Sequence, residues 1–202
     1  MPENEMTGNI FYLARRQTNV GGDAAPPPPE KVTAEALLVK RVCDGDGTAF
    51  DELYKIFAPL VHGIILARVP RGEVDDLVQE VFLSAYKNAA SLRNRNAVGA
   101  WLAMIARRRA AEFYRQARPT EEISEDLRCG GSDDGSAQTE AREILRAIRA
   151  LPETYSETLV LRLVEGMSGQ EIAERTGLKH ESVRVNLHRG MKLLREKLGV
   201  KE

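Results

Sequence analysis

Aromatic side chains are scarce, at 5% of the 202 residues, and no pair of alternating apolar stretches flanks a tight turn, so neither β-hairpins nor a strand-rich fold is expected. There are only two cysteines, Cys43 and Cys129, far apart and outside any metal-ligand spacing. That excludes a disulfide scaffold and points to a reducing compartment. No stretch approaches the roughly 18 apolar residues of a membrane span. The N-terminus lacks a charged start leading into an apolar core, and Arg15-Arg16 runs into polar Gln17-Thr18-Asn19 rather than an export signal. A cytoplasmic protein without membrane contact is expected. Histidine is limited to His62, His180 and His188, and no nucleophile elbow, phosphate loop or carboxylate cluster occurs. Neither an enzyme, a cofactor nor a metal is expected.

What remains favours helices. Ala, Leu, Arg and Glu dominate, the hydrophobic fraction is 43% and the charged fraction 29%, a helix-leaning globular mixture. The net charge of -1 conceals a segregated pattern. Five arginines between Arg107 and Arg118 face one acid, Glu112; seven acids between Glu121 and Glu140 face Arg128; six Lys and Arg between Lys179 and Lys197 face Glu181 and Glu196. Two basic helices separated by an acidic stretch suggest two nucleic-acid-facing surfaces on a tether.

The expected fold is all-α, with two small helical domains joined by a flexible acidic linker. Residues 1–33, ending near the proline run Pro26 to Pro29, read as a mobile extension stiffened by polyproline. Residues 34–117 read as a first helical domain, with helices over 34–43, from Thr48 as N-cap to Val69-Pro70, over 73–90 and over 97–117. Residues 118–138, with Pro119 and the cluster Gly130-Gly131-Ser132-Asp133-Asp134-Gly135-Ser136, have linker composition. Residues 139–198 read as four short helices.

Residues 166–198 carry a helix-turn-helix pattern. Ser168 and Glu171 have capping-box spacing, Ile172 and Ala173 face inward, and Gly177 stands where a left-handed residue is needed. Val183, Leu187, Gly190 and Leu194 then form one buried stripe at about 100° per residue. The opposite side holds Glu181, Arg184, Val185, His188, Lys192 and Arg195, with Arg189 at its edge. Ser182, Arg184, Val185, His188 and Arg189 are candidates for base-edge or groove contacts, and Lys192 and Arg195 for phosphates.

In the first domain, Val74, Leu77, Val78, Val81, Phe82 and Ala85 make a core stripe. Asp75 and Asp76, Gln79, Glu80 and Leu83 lie away from it, with Tyr86 beside them. An apolar residue ringed by acids fits a basic protein partner better than DNA. The helix over 97–117 is expected to bury Val98, Trp101, Leu102, Ile105, Ala106 and Phe113. Arg107, Tyr114 and Arg118 fall opposite, Arg108 and Arg115 flank them, and Arg109 lies nearer the apolar stripe. Arginines interleaved with an aromatic suit a single strand, and Asn94 and Asn96 in the preceding loop are placed to reach unpaired bases.

From about 36 to 198 the chain resembles an extracytoplasmic-function sigma factor. The resemblance rests on AFDELYKIFAPLV (49–61), DDLVQEVFLSAY (75–86), WLAMIARRRAAEFYR (101–115) and LPETYSETLVLRLVEGMSGQEIAERTGL (151–178). It implies that residues 34–117 are sigma domain two, the acidic helix with Asp75, Asp76, Gln79, Glu80 and Leu83 docking on core RNA polymerase. It implies that Asn94, Asn96, Trp101, Arg107, Arg108, Tyr114 and Arg115 act at the minus-ten element of promoter DNA. Residues 139–198 would be sigma domain four, its helix-turn-helix on the minus-thirty-five element, and an anti-sigma protein would be a further partner. Arg108 stands where the family often has Asn, Asn186 where Arg is frequent, and Glu181 where a small residue is usual. The alternative is a helix-turn-helix regulator whose first domain senses a signal or dimerises.

Overall fold

In the computed structural model, residues 32–116 and 136–200 are described, the side chains of 136–138 excepted. Residues 118–135 of the expected linker and all but the last two residues of the expected extension therefore lie outside the described part, as do Arg118 and Cys129, while 136–138, expected in the linker, already belong to a helix. The described residues form eight α-helices: α1 (Ala34–Cys43), α2 (Gly47–Leu66), α3 (Val74–Asn88), α4 (Val98–Gln116), α5 (Ser136–Arg149), α6 (Glu153–Leu163), α7 (Gly169–Thr176) and α8 (His180–Leu198). Short 3-10 turns precede α3 and α4 and follow α3. Strands are absent among the described residues.

Local signals explain most boundaries. The Thr33 side chain accepts from the Ala36 N–H and starts α1, so the last residue assigned to the extension is a helix cap. The cap of α2 is Asp46 rather than Thr48: its carboxylate accepts from the Thr48 and Ala49 N–H groups and from the Thr48 hydroxyl. A carboxylate offers more acceptor sites than a hydroxyl, and its charge suits the positive end of the helix. The hydroxyl of Thr48 and the guanidinium of Arg41 hold the Asp46 carboxyl down to about 2. Ser168 and Glu171 close a full capping box on α7. Gly177 ends that helix in the left-handed conformation, φ 74°. The last helix is 19 residues long, with its buried stripe continuing through Leu194 as the pattern placed it.

The first block, α1 to α4, packs around α2, whose Leu60, Val61, Ile64 and Ile65 are fully buried. The second, α5 to α8, centres on Ile148, Leu159, Leu161, Ile172 and Val183. On α4 the buried line is Val98, Gly99, Leu102, Ala103, Ala106 and Ala110. Trp101, Ile105 and Phe113, expected inside, are half-buried instead. The small side chains let α4 approach its neighbours closely and push the bulky ones to the margins of the contact.

The blocks do not stand apart. Both fall in one compact unit, with a single apolar cluster running through them. Helix α2 lies against α6, and α4 against α7. Gly63 of α2 meets Leu161 and Glu165, where an added Cβ would come within 2.7 and 2.9 Å. Gly99 of α4 meets the Arg175 carbonyl, at 2.6 Å from such a Cβ.

Two glycines at left-handed turns offer a test of this packing. Gly166 (φ 69°) has open space around it, whereas a Cβ on Gly177 would lie 3.1 Å from the Ala100 side chain across the contact. Gly166→Ala should lose about 1 kcal/mol from backbone strain alone. Gly177→Ala should lose more, read as a lower urea midpoint at unchanged slope.

Candidate nucleic-acid interface

Helix α8 is presented by the capped α7 and the left-handed turn at Gly177. Val183, Gly190 and Leu194 are buried and Leu187 half-buried, while Ser182, Arg184, Val185, His188, Arg189, Lys192 and Arg195 are exposed. Val185 keeps 42% of its surface accessible. Arg184, His188, Arg189 and Lys192 enter no ion pair among the described residues. A mixed cationic, apolar and imidazole surface on one helix face is therefore open to a groove.

Helix α3 exposes Asp75, Asp76, Gln79, Glu80 and Leu83, the last 57% accessible, with Tyr86 beside them. Tyr86 stands edge-on to Phe50 at 5.0 Å. Glu80 makes a loose 3.6 Å pair with Arg109, which also bonds Glu112. The structure thus brings the predicted acidic and apolar side chains onto one face.

The α4 candidates divide. Arg108 and Arg115 are largely exposed and, among the described residues, pair with Glu112 on their own helix, at 2.8 and 3.8 Å. The hydrogen bond from Arg108, with the charges of Arg108, Arg109 and Arg115, holds the Glu112 carboxyl below its usual range. The Asn94 side chain is occupied in accepting from the Asn96 N–H, and the Asn96 side chain accepts from the Thr33 N–H, which ties the loop to the start of α1. Trp101 lines an apolar groove with Phe50, Phe82 and Tyr86. Tyr114, half exposed, donates its hydroxyl to the Arg68 carbonyl at 2.8 Å.

Arg107 requires a correction. The pattern placed it on a solvent-facing side of α4, but that side faces α6. Arg107 donates from Nη2 to Glu157 Oε1 at 2.7 Å and from Nε to Oε2 at 3.1 Å, a two-pronged grip on one carboxylate. Arg68, itself 11% accessible, bonds the same carboxylate and reaches Glu153 at 2.6 Å. Burial alone would push the Glu157 carboxyl up, but the Arg107 bond and the two positive charges outweigh it and hold it below its usual range. The same bond raises Arg107 against the opposing effect of burial.

Further contacts join the blocks, and none was anticipated. His62 Nδ1 lies 2.6 Å from Glu165 Oε1. Arg149 Nε donates to the Leu66 carbonyl at 2.8 Å, and Arg175 to the Ile56 carbonyl at 3.0 Å. The end of α2 thus has one of its orphan carbonyls satisfied by a cation of the other block, as its negative pole favours. Two signals were available in the sequence: an acid, Glu157, inside the apolar run of α6, and Gly63 in mid-helix, a position that calls for a close neighbour.

Comparison with known proteins agrees with this geometry. Residues 53–120 match the family described as Sigma-70 region 2, and residues 141–194 match Sigma-70, region 4. The chain is 32% identical over 166 residues to RNA polymerase sigma factor CarQ of Myxococcus xanthus, covering 80% of this chain and 95% of the relative. It is 29% identical over 185 residues to the ECF RNA polymerase sigma-E factor of Haemophilus influenzae, covering 84% and 97%. In fold it is similar to CnrH, solved in complex with the cytosolic domain of CnrY, with a TM-score of 0.60 at 22% identity, covering 84% of this chain and all of that one.

The His62 contact has a pH signature. The bond to Glu165 raises the imidazole above 6.5 against burial, helped by the charges of Glu165 and Asp75 and opposed by Arg71. Its stabilising contribution is complete below the unfolded value and is lost as pH rises through the higher folded value. The parent's urea midpoint should therefore fall between about pH 6 and 8, and His62→Gln should remove that part of the slope.

Proposed function

Because the chain belongs to the extracytoplasmic-function family of RNA polymerase sigma factors, we propose how its two helical blocks divide that family's work. Members bind core RNA polymerase and confer promoter recognition for transcription initiation, and this chain does so as a transcription factor. In our reading it lends the polymerase specificity, adds no catalysis of its own, and works in the cytoplasm. The observation that carries the division is the open face of α8, on a helix-turn-helix whose cap and turn hold it rigidly.

The block from 34 to 117 serves as sigma domain two. Asp75, Asp76, Gln79 and Glu80 meet a basic surface of core polymerase, and Leu83 supplies the apolar centre that such an interface needs. Asn94, Asn96, Trp101, Arg107, Arg108, Tyr114 and Arg115 engage the minus-ten element. The guanidinium groups neutralise phosphates and the aromatic rings receive unstacked bases. The block from 139 to 198 serves as sigma domain four, with Ser182, Arg184, Val185, His188 and Arg189 entering the major groove at the minus-thirty-five element and Lys192 on a phosphate. An anti-sigma protein is a further partner in this reading, since CnrH was solved with the cytosolic domain of CnrY. No helix among the described residues is long and apolar enough to cross a membrane. A conventional helix-turn-helix regulator would leave the match over residues 53–120 without a purpose.

Leu83→Arg combined with Glu80→Lys should weaken competition for core polymerase about thirtyfold, the scale of a lost interface hot spot. Helix content should be unchanged, because Leu83 is exposed and the Glu80–Arg109 pair is a loose surface contact of little worth. Undiminished competition would remove α3 from the polymerase interface.

Arg107→Ala and Arg115→Ala should impair promoter opening more than polymerase binding. Permanganate reactivity of unpaired thymines should fade while holoenzyme still assembles. Full reactivity in both variants would exclude α4 from strand capture.

A further inference from the structure

We propose that Met104 is an apolar element with which α4 covers an unstacked base of a captured strand. This rests on the reading of α4 as a strand-binding helix and adds to it a residue that the helical pattern left without a role. Met104, Arg108, Ala111 and Arg115 are all exposed. At about 100° per residue they share a stripe about 60° wide, which at 1.5 Å per residue runs for about 16 Å along the helix. Among the large apolar side chains of α4, Met104 is the most exposed, with 56% of its surface accessible. The aromatic residues beside the stripe are held within the first block. Tyr114 donates its hydroxyl to the Arg68 carbonyl, and Trp101 is half-buried in the groove with Phe50 and Tyr86.

A single exposed apolar side chain is ordinary on a protein surface, but this one stands about one helical turn from Arg108 on a stripe with surplus positive charge. Arg108, Arg109 and Arg115 share the carboxylate of Glu112, and Arg109 also lies 3.6 Å from Glu80. The stripe therefore favours an anionic partner that can also cover an apolar side chain. A single nucleic-acid strand meets both conditions, with phosphates for the guanidinium groups and ring faces for the thioether. Methionine is flexible and polarisable, and its sulfur makes favourable contacts with aromatic rings. A paired duplex turns its phosphates and base edges outward and keeps its ring faces stacked, so it gives Met104 nothing to cover. The contact thus rewards a base that has left the stack. Because every base has a π-face, it does so without reading sequence.

The test uses holoenzyme assembled from the full chain and core polymerase, with two fluorescent dodecamers as probes. One is oligo(dT), and the other is an abasic strand that keeps the phosphates and lacks the bases. Met104→Ala should weaken oligo(dT) binding about fivefold, the scale of a lost sulfur–aromatic contact, and leave abasic binding as in the parent. Met104→Leu should recover most of the loss. Helix content should be retained, because Met104 is exposed and Ala is the better helix former. Arg108→Gln should weaken both probes and lower the salt slope of binding by about 0.7. Undiminished oligo(dT) binding by Met104→Ala, or an equal loss on both strands, would overturn the role of Met104, and the Arg108→Gln result would still uphold α4 as strand-binding. A Met104→Ala variant that assembles poorly with core polymerase but holds oligo(dT) as the parent does would place Met104 in a protein contact and also overturn the proposal. Unchanged binding of both probes by Arg108→Gln would instead overturn the strand-binding reading of α4, and the proposal with it.

Discussion

A carboxylate buried between two guanidinium groups holds the two helical blocks in register. Glu157 could not be placed on the inner face of α6 by itself, since an isolated buried charge is far costlier than any apolar contact there repays. Arg107 of α4 and Arg68 beyond the end of α2 make the position tenable, and both come from the other block. The dependence is mutual, because removing either partner of a buried pair leaves the other charge unsatisfied, typically at 3–5 kcal/mol. What such a pair supplies is geometry. Apolar surfaces slide over one another at little cost, whereas a two-pronged guanidinium–carboxylate bond accepts only a narrow range of positions.

The rest of the contact follows from that register. With α6 docked on α2, Arg149 reaches the Leu66 carbonyl and Ser156 approaches that of Ala67. With α7 docked on α4, the turn at Gly177 lies over Ala100, and Arg175 lies over the Phe57 ring. These are small, directional contacts around glycines.

This placement sorts the chain's binding surfaces. In the proposed division, the α8 face assigned to double-stranded promoter DNA and the α3 face assigned to polymerase are both exposed. Arg107, assigned in the proposed division to a separated strand, is the candidate that the contact engages through Glu157.

The sequence by itself determined the helices and most of their faces. Capping at Ser168, the left-handed Gly177, the stripe from Val183 to Leu194 and the exposed Leu83 are consequences of short-range backbone chemistry and of a 3.6-residue period, and all stand where the pattern put them. Even the displaced cap, Asp46 for Thr48, is a choice between adjacent acceptors. The family was equally legible, because its motifs are local runs. The tertiary structure alone decided what the polar sides of those helices face. A helical period separates an apolar stripe from its opposite side but does not state whether that side meets water or another helix. Arg107 reads as solvent-facing until a carboxylate 50 residues away is folded against it. Likewise Trp101, Ile105 and Phe113 lie at the margin of the core because Gly99, Ala103, Ala106 and Ala110 allow closer approach. Contacts between distant segments depend on the mutual fit of several surfaces at once, and no single window of the chain contains that information.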